Sequence, residues 1–194
     1  MIPEVSLIGQ YWNDKRFINS WLQVGKQFNH EDYDHVLFSY HGLPNRQVDK
    51  VYDNDLCEDK PCEIEVNPEN AMCYKATCFG TTRLIANGLG IPKQKYTVGF
   101  QSRLDNKWLE PFSDKLVEKF AKDGIKKLLV FSPAFTADCL ETTIEIGDEY
   151  SEIFKEHGGE QLDLVPSLNA DDIWAESAYQ MIKDRMPEIP ELQS

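Results

Sequence analysis

The sequence predicts an α/β fold, a parallel sheet of about four strands flanked by helices, and three observations predict it. Four short apolar runs, Val36–Tyr40, Tyr96–Gln101, Lys127–Phe131 and Leu162–Val165, lack the strict alternation of half-exposed strands and read as strands buried on both faces. Longer segments with apolar residues at helical spacing lie between them. A strand, a helix and a further strand in succession imply crossover connections, which make the strands parallel.

The elements follow in order. The segment from Asp14 to Phe28 carries Phe17, Ile18, Trp21, Leu22 and Phe28 on one side of an amphipathic helix. The first strand runs into Ser39-Tyr40-His41-Gly42-Leu43-Pro44. Met72 to Leu89 is helical and stops at Gly88 and Gly90, ahead of Pro92. After the Tyr96–Gln101 strand, Ser113 or Asp114 caps a helix carrying Leu116, Val117, Phe120 and Ala121, with Gly124 at its C′ position. Lys127–Phe131 is a strand, Asp138 to about Phe154 a helix, and Leu162–Val165 a short strand. Asp171 or Asp172 caps a last helix with Ile173, Trp174, Ala178 and Met181 on one face. Gln47 to Asn70 is the exception, being acidic, proline-containing and without periodicity. There is no internal repeat and no low-complexity tract.

Composition narrows the function. A chain of 194 residues that is 41% hydrophobic can bury one ordinary core. Its formal net charge of −13, without a dense Lys/Arg run, repels phosphate backbones and argues against nucleic-acid binding. No apolar run approaches the roughly 20 residues of a membrane span. Met1-Ile2-Pro3-Glu4 has neither the basic nor the apolar region of a secretory leader, so a cytoplasmic location is expected. The five cysteines are then expected as thiols or metal ligands rather than disulfides.

Four of them, Cys57, Cys62, Cys73 and Cys78, form C-x4-C-x10-C-x4-C. The gaps are wider than the C-x2-C knuckle of structural zinc, and iron–sulfur clusters also take four thiolates. An iron–sulfur cluster, a zinc ion and unligated thiols all remain open on the residues alone. Cys139 stands apart and reads as a small packing residue at a helix start.

Two titratable groups sit just past apolar strands, where open α/β sheets bind ligands: His41 and Glu141. The bland alternatives are a hydrogen-bonded turn histidine and a solvated acidic helix face formed by Glu141, Glu145, Asp148, Glu149 and Glu152. Against the second, Phe135, Ala137 and Leu140 surround Glu141. Partial desolvation is therefore expected to raise its pKa and make it a proton acceptor near neutrality. Glu145, one turn on, is expected to extend the acidic line towards solvent.

At these residues the chain resembles the C-terminal half of the ferrochelatases, which insert ferrous iron into a porphyrin to make heme. SYHGLP resembles the family's Ser-x-His-x-Leu-Pro segment. GFQSR with Trp108-Leu109-Glu110-Pro111 resembles its Gln-Ser-(Lys/Arg)…Trp-Leu-x-Pro segment. PAFTADCLETTIEI resembles its Pro-x-x-Phe-x-(Ser/Ala)-Asp-x-(Leu/Ile)-Glu-Thr segment, and Ser167-Leu168-Asn169 resembles a late loop. The resemblance implies a Rossmann-like, chelatase-type domain. Residues 1–30 are expected as a handover helix region and residues 31–194 as the C-terminal chelatase domain, with 44–78 as an irregular cysteine-bearing insertion. It further implies that the N-terminal half is absent, that Met1 opens a truncated chain, and that this half alone is inactive.

By position, His41 matches the histidine that binds the incoming metal or accepts a pyrrole proton, and Glu141 matches the glutamate opposite it. Glu145 and Asp138 match a supporting acidic path, and Trp108, Gln101, Ser102 and Tyr40 match substrate-binding positions. Some bacterial members hold a 2Fe–2S cluster on an internal cysteine segment, which favours that cofactor for Cys57, Cys62, Cys73 and Cys78, with zinc as the alternative. The partners implied are a porphyrin, ferrous iron and the missing N-terminal half. Peripheral membrane association of the full enzyme and self-association of this half are further expectations. Two other readings stand beside it: a cobalt or iron chelatase of corrin or siroheme synthesis, and a non-catalytic iron–sulfur or zinc protein.

Overall fold

In the computed structural model, which describes residues 5–52 and 62–186, β1 (His35–His41) lies at the middle of a sheet ordered β2-β1-β3-β4. Its companions are β2 (Tyr96–Gln101), β3 (Lys127–Phe131) and β4 (Gln161–Leu164), and every pairing is parallel. This is the parallel α/β sheet that the apolar runs predicted, with β2 and β3 at the expected residues.

The helices are α1 (Lys15–Gly25), the short α2 (Asn45–Val48), α3 (Tyr74–Leu89), α4 (Ser113–Lys122), α5 (Leu140–Thr142), α6 (Ser151–Glu156) and α7 (Asp172–Lys183). Asp14 caps α1 by accepting the Arg16 N–H, and Asp171 caps α7 by accepting those of Ile173 and Trp174. Gly90, at φ 73°, ends α3 in the left-handed conformation that glycine adopts without penalty. The cap expected at Ser113 or Asp114 is not formed. Phe112 occupies that position, and the Ser113 hydroxyl turns inward to Ser39 at 2.8 Å. The helix expected from Asp138 to Phe154 is also different in kind. Between α5 and α6, Thr143–Tyr150 is a π-helix, whose i→i+5 bonds no apolar period announces.

Strand alternation sorts the core into two layers. Val36, Phe38 and Tyr40 of β1 and Leu129 and Phe131 of β3 face Trp21 of α1 and Ile85 of α3. Leu37, Leu128 and Val130 face Val117 and Phe120 of α4, Ile146 and Phe154. α1 packs on both α3 and α7. No helix among the described residues is long and apolar enough to cross a membrane.

Candidate functional site

The site is built where β1 and β2 end. The register pairs His41 with Gln101, so the two strands deliver an imidazole and an amide side by side. His41 is half-buried, and its Nδ1 lies 2.6 Å from the Gly42 carbonyl. A carbonyl only accepts, so Nδ1 carries the proton and the Nε2 lone pair is left for a metal or a proton. The ring lies beside Trp108 and Phe135, with centroids 6.3 and 6.1 Å away. Gly42 makes this approach feasible: a Cβ there would stand 2.9 Å from the Gln101 carbonyl and 3.3 Å from the Trp108 ring. Trp108 is held against the strand end by the Leu109 N–H donating to the Leu43 carbonyl at 2.9 Å and the Asn45 N–H donating to that of Lys107 at 2.9 Å. An open groove of about 710 Å³ borders it, lined by Pro44, Arg46, Leu104, Asp105 and Lys107 among others.

Gln101 is buried and ties four segments together. Its Nε2 donates to the Glu141 carbonyl at 2.6 Å and to Glu145 Oε2 at 3.2 Å, and its Oε1 accepts the Ser39 hydroxyl at 2.8 Å. The Ser132 hydroxyl lies 3.4 Å from the same Oε1. Ser102 follows in the left-handed region at φ 59°, a conformation costing a non-glycine residue about 1–3 kcal/mol. That turn aims its N–H at Glu145 Oε1, 2.8 Å, and its hydroxyl at Oε2, 2.5 Å. The Tyr150 hydroxyl adds a fourth donor at 2.9 Å; burial and the neighbouring Glu145 charge push its pKa up, so it stays protonated. Glu145 therefore does not lead towards solvent as expected. The π-turn carries its carboxylate inward, onto the end of β2.

Glu141 opens α5 near His41, close enough for the imidazole to act on its charge. Its pKa is lowered, first by its own backbone N–H and next by the Cys139 thiol, with His41 contributing least. This corrects the expectation of a raised value. The apolar neighbours do not enclose the carboxyl, Leu140 being itself exposed, and the hydrogen bonds to the charged form win. Cys139 is half-buried and caps α5 reciprocally with Thr142, so it does more than pack. Asp138 accepts the Ser167 N–H at 3.0 Å and Asn169 Nδ2 at 2.8 Å, while its own N–H donates to Asn169 Oδ1 at 2.8 Å. Burial works to raise its pKa, but these hydrogen bonds outweigh it and the net shift is downward. Asp138 thus fastens the Ser167–Asn169 loop to the start of α5.

Tyr40 lies on the other face of β1. It is buried, its hydroxyl meets Thr82 Oγ1 at 2.8 Å, and it lines a cavity of about 220 Å³ with Tyr11, Trp12, Tyr74, Cys78 and Pro133 among others. Cys62, Cys73 and Cys78 are buried in the same core layer, Cys73 at the N-cap position of α3 without a side-chain capping bond and Cys78 in its second turn. Cys57 lies outside the described residues. Burial pushes the Cys78 thiol pKa up. Among the described residues no three His, Cys, Asp or Glu side chains are grouped so as to hold a metal ion. Tyr74, which sequence reasoning missed, donates its hydroxyl to the His41 carbonyl at 2.8 Å. A tyrosine directly after a candidate ligand was the available signal.

Comparison with known proteins agrees with the motifs. The ferrochelatase family model matches residues 1–186. A ferrochelatase of Pseudomonas fluorescens biotype C is 41% identical over 175 residues, covering 89% of this chain and 52% of its own length. That of Pseudomonas fluorescens strain SBW25 is 39% identical over 193 residues, covering 95% and 55%, and that of Coxiella burnetii strain Dugway 5J108-111 is 40% identical over 183 residues, covering 93% and 52%. The chain spans about half the length of the curated relatives it matches. With a parallel sheet presenting SYHGLP, QSR and CLETTIE at one edge, and a family match over almost its whole length, the chain belongs to the ferrochelatase family.

Proposed function

We propose that this chain forms one wall of a porphyrin cleft, the wall at which ferrous iron enters a porphyrin and two pyrrole protons leave. The observation that carries the reading is the imidazole of His41. Its Nδ1 proton is committed to the Gly42 carbonyl, which in the neutral ring leaves the lone pair on Nε2, and the Glu141 carboxylate stands nearby. A neutral imidazole suits Fe²⁺ as a ligand and equally suits a pyrrole N–H as a base, one at a time. Glu141, held in its charged form, attracts the dication. As a weak base beside solvent, it takes a pyrrole proton only in passing and hands it on to water. Gln101, Ser102 and Glu145 hold the edge in shape behind these two groups. Trp108, beside the imidazole, offers the flat apolar surface a macrocycle stacks on.

The four clustered cysteines are read as ligands of a 2Fe–2S cluster, with zinc as the alternative. By its chemistry an all-sulfur donor set suits such a centre, with Cys57 as fourth ligand. Cys62, Cys73 and Cys78 share one buried core layer but are not grouped around a common point, so binding would have to draw them together. The centre, when bound, supplies rigidity to the acidic segment, which has few apolar residues to order it. Anaerobic purification followed by iron, sulfide and zinc analysis tests this; a metal-free protein under those conditions refutes it.

The activity is tested in a chimera joining the N-terminal half of the SBW25 relative to this chain. Iron insertion into protoporphyrin, read from the heme spectrum, is expected there, and His41→Ala should lower it by about a hundredfold or more. The 194-residue chain alone should form little heme, because one wall leaves a face of the macrocycle in water. An active chimera indifferent to His41→Ala would refute the role of His41.

A further inference from the structure

We infer that Tyr74 is a positioning residue for His41, holding the peptide that orients the imidazole; the inference rests on the role of His41 given above. The peptide between His41 and Gly42 is gripped at both ends. Its carbonyl accepts the Tyr74 hydroxyl at 2.8 Å, and its N–H donates to the Gln101 carbonyl at 2.8 Å. The next carbonyl, that of Gly42, is the one that takes the His41 Nδ1 proton at 2.6 Å. The tautomer therefore depends on where the backbone places that carbonyl. Glycine is the residue least able to hold a backbone orientation unaided, so the grip has to come from outside the turn.

Tyr74 is built for it. As the first residue of α3 it is anchored by a helix packed on α1, and its ring belongs to the core layer under β1. The phenol is the donor in this bond, since a carbonyl oxygen only accepts. Its proton goes to the His41 carbonyl.

The test is Tyr74→Phe in the 194-residue chain, read by ¹⁵N spectra of the imidazoles. The chain has four histidines, and His41→Asn identifies the signal. Wild-type His41 is expected to carry its proton on Nδ1. In Tyr74→Phe the ratio of Nδ1–H to Nε2–H should fall about fivefold, the effect of losing one hydrogen bond of ordinary strength. A residue that merely supported the fold would lower the melting temperature and leave this ratio alone, so an unchanged ratio in a folded variant overturns the proposal. Wild-type His41 protonated on Nε2 overturns it too. Where Tyr74→Phe does not fold, the Tyr74 hydroxyl proton of the wild type decides: a slowly exchanging proton coupled to the His41 carbonyl carbon supports the grip, and a fast-exchanging one overturns it. A fixed tautomer in a chain whose chimera inserts no iron would sink the functional reading and leave the positioning intact.

Discussion

The two faces of the sheet divide its work unequally. One buries a large aromatic layer, with Phe38 stacked on Phe131 at 5.0 Å and Trp21 fully covered, and gathers three cysteines into it. The other buries a smaller, mostly aliphatic layer that gives way, towards the strand ends, to Ser39, Ser113, Gln101 and Glu145 linked by hydrogen bonds. Residues of β1 alternate between them, Phe38 and Tyr40 to the first, Ser39 and His41 to the second. The first face supplies stability through area removed from water. The second supplies geometry through hydrogen bonds, and a ligand-binding edge needs both.

The comparison can be broken from either side. Phe38→Ala strikes the aromatic layer and should cost about 3–5 kcal/mol, read from urea unfolding; a loss under about 1 kcal/mol would mean the layer is not the main store of stability. Gln101→Met strikes the polar edge with little change of volume. It removes the donor to the Glu141 carbonyl, one of four donors to the Glu145 carboxylate and one of the two partners of the Ser39 hydroxyl, and should cost about 1–3 kcal/mol by the same measurement. The smallest effect is expected from Asp138→Asn, under about 1 kcal/mol at pH 7, since this carboxylate is largely solvent-screened. Its folded pKa is depressed, so its contribution is present above the unfolded value near 4 and lost as pH falls through the folded one. Melting temperatures of wild type and variant should therefore converge on acidification below about pH 4.

The aromatic face was legible in the sequence, and the polar edge only in outline. Strands such as Lys127–Phe131 announce themselves because burial on both sides leaves an uninterrupted apolar run between turn residues. His41 and Glu141 were legible as positions because strand ends are where chemistry gathers in such sheets. What they do there was less so. The low pKa of Glu141 comes from a backbone N–H and a neighbouring thiol, neither of which composition weighs. The inward turn of Glu145 comes from a π-helix, and the 3.6-residue period used to read the segment could not show it. Ser39 did carry a signal: a hydroxyl in the middle of a buried strand must find a partner, and here it finds Gln101 and Ser113.

Gln101 has a consequence for selectivity. Both of its amide protons and its carbonyl oxygen are spent on the protein, as are both oxygens of Glu145. Groups whose lone pairs are already claimed compete poorly for a passing cation. On the function proposed above, an ion arriving at this edge would not be detained by the polar residues packed behind it, and would be left to the imidazole and the carboxylate in front. On that reading the network would act as a filter made of satisfied bonds, and the same sequence with Gln101 replaced by a weaker partner would turn a delivery route into a trap.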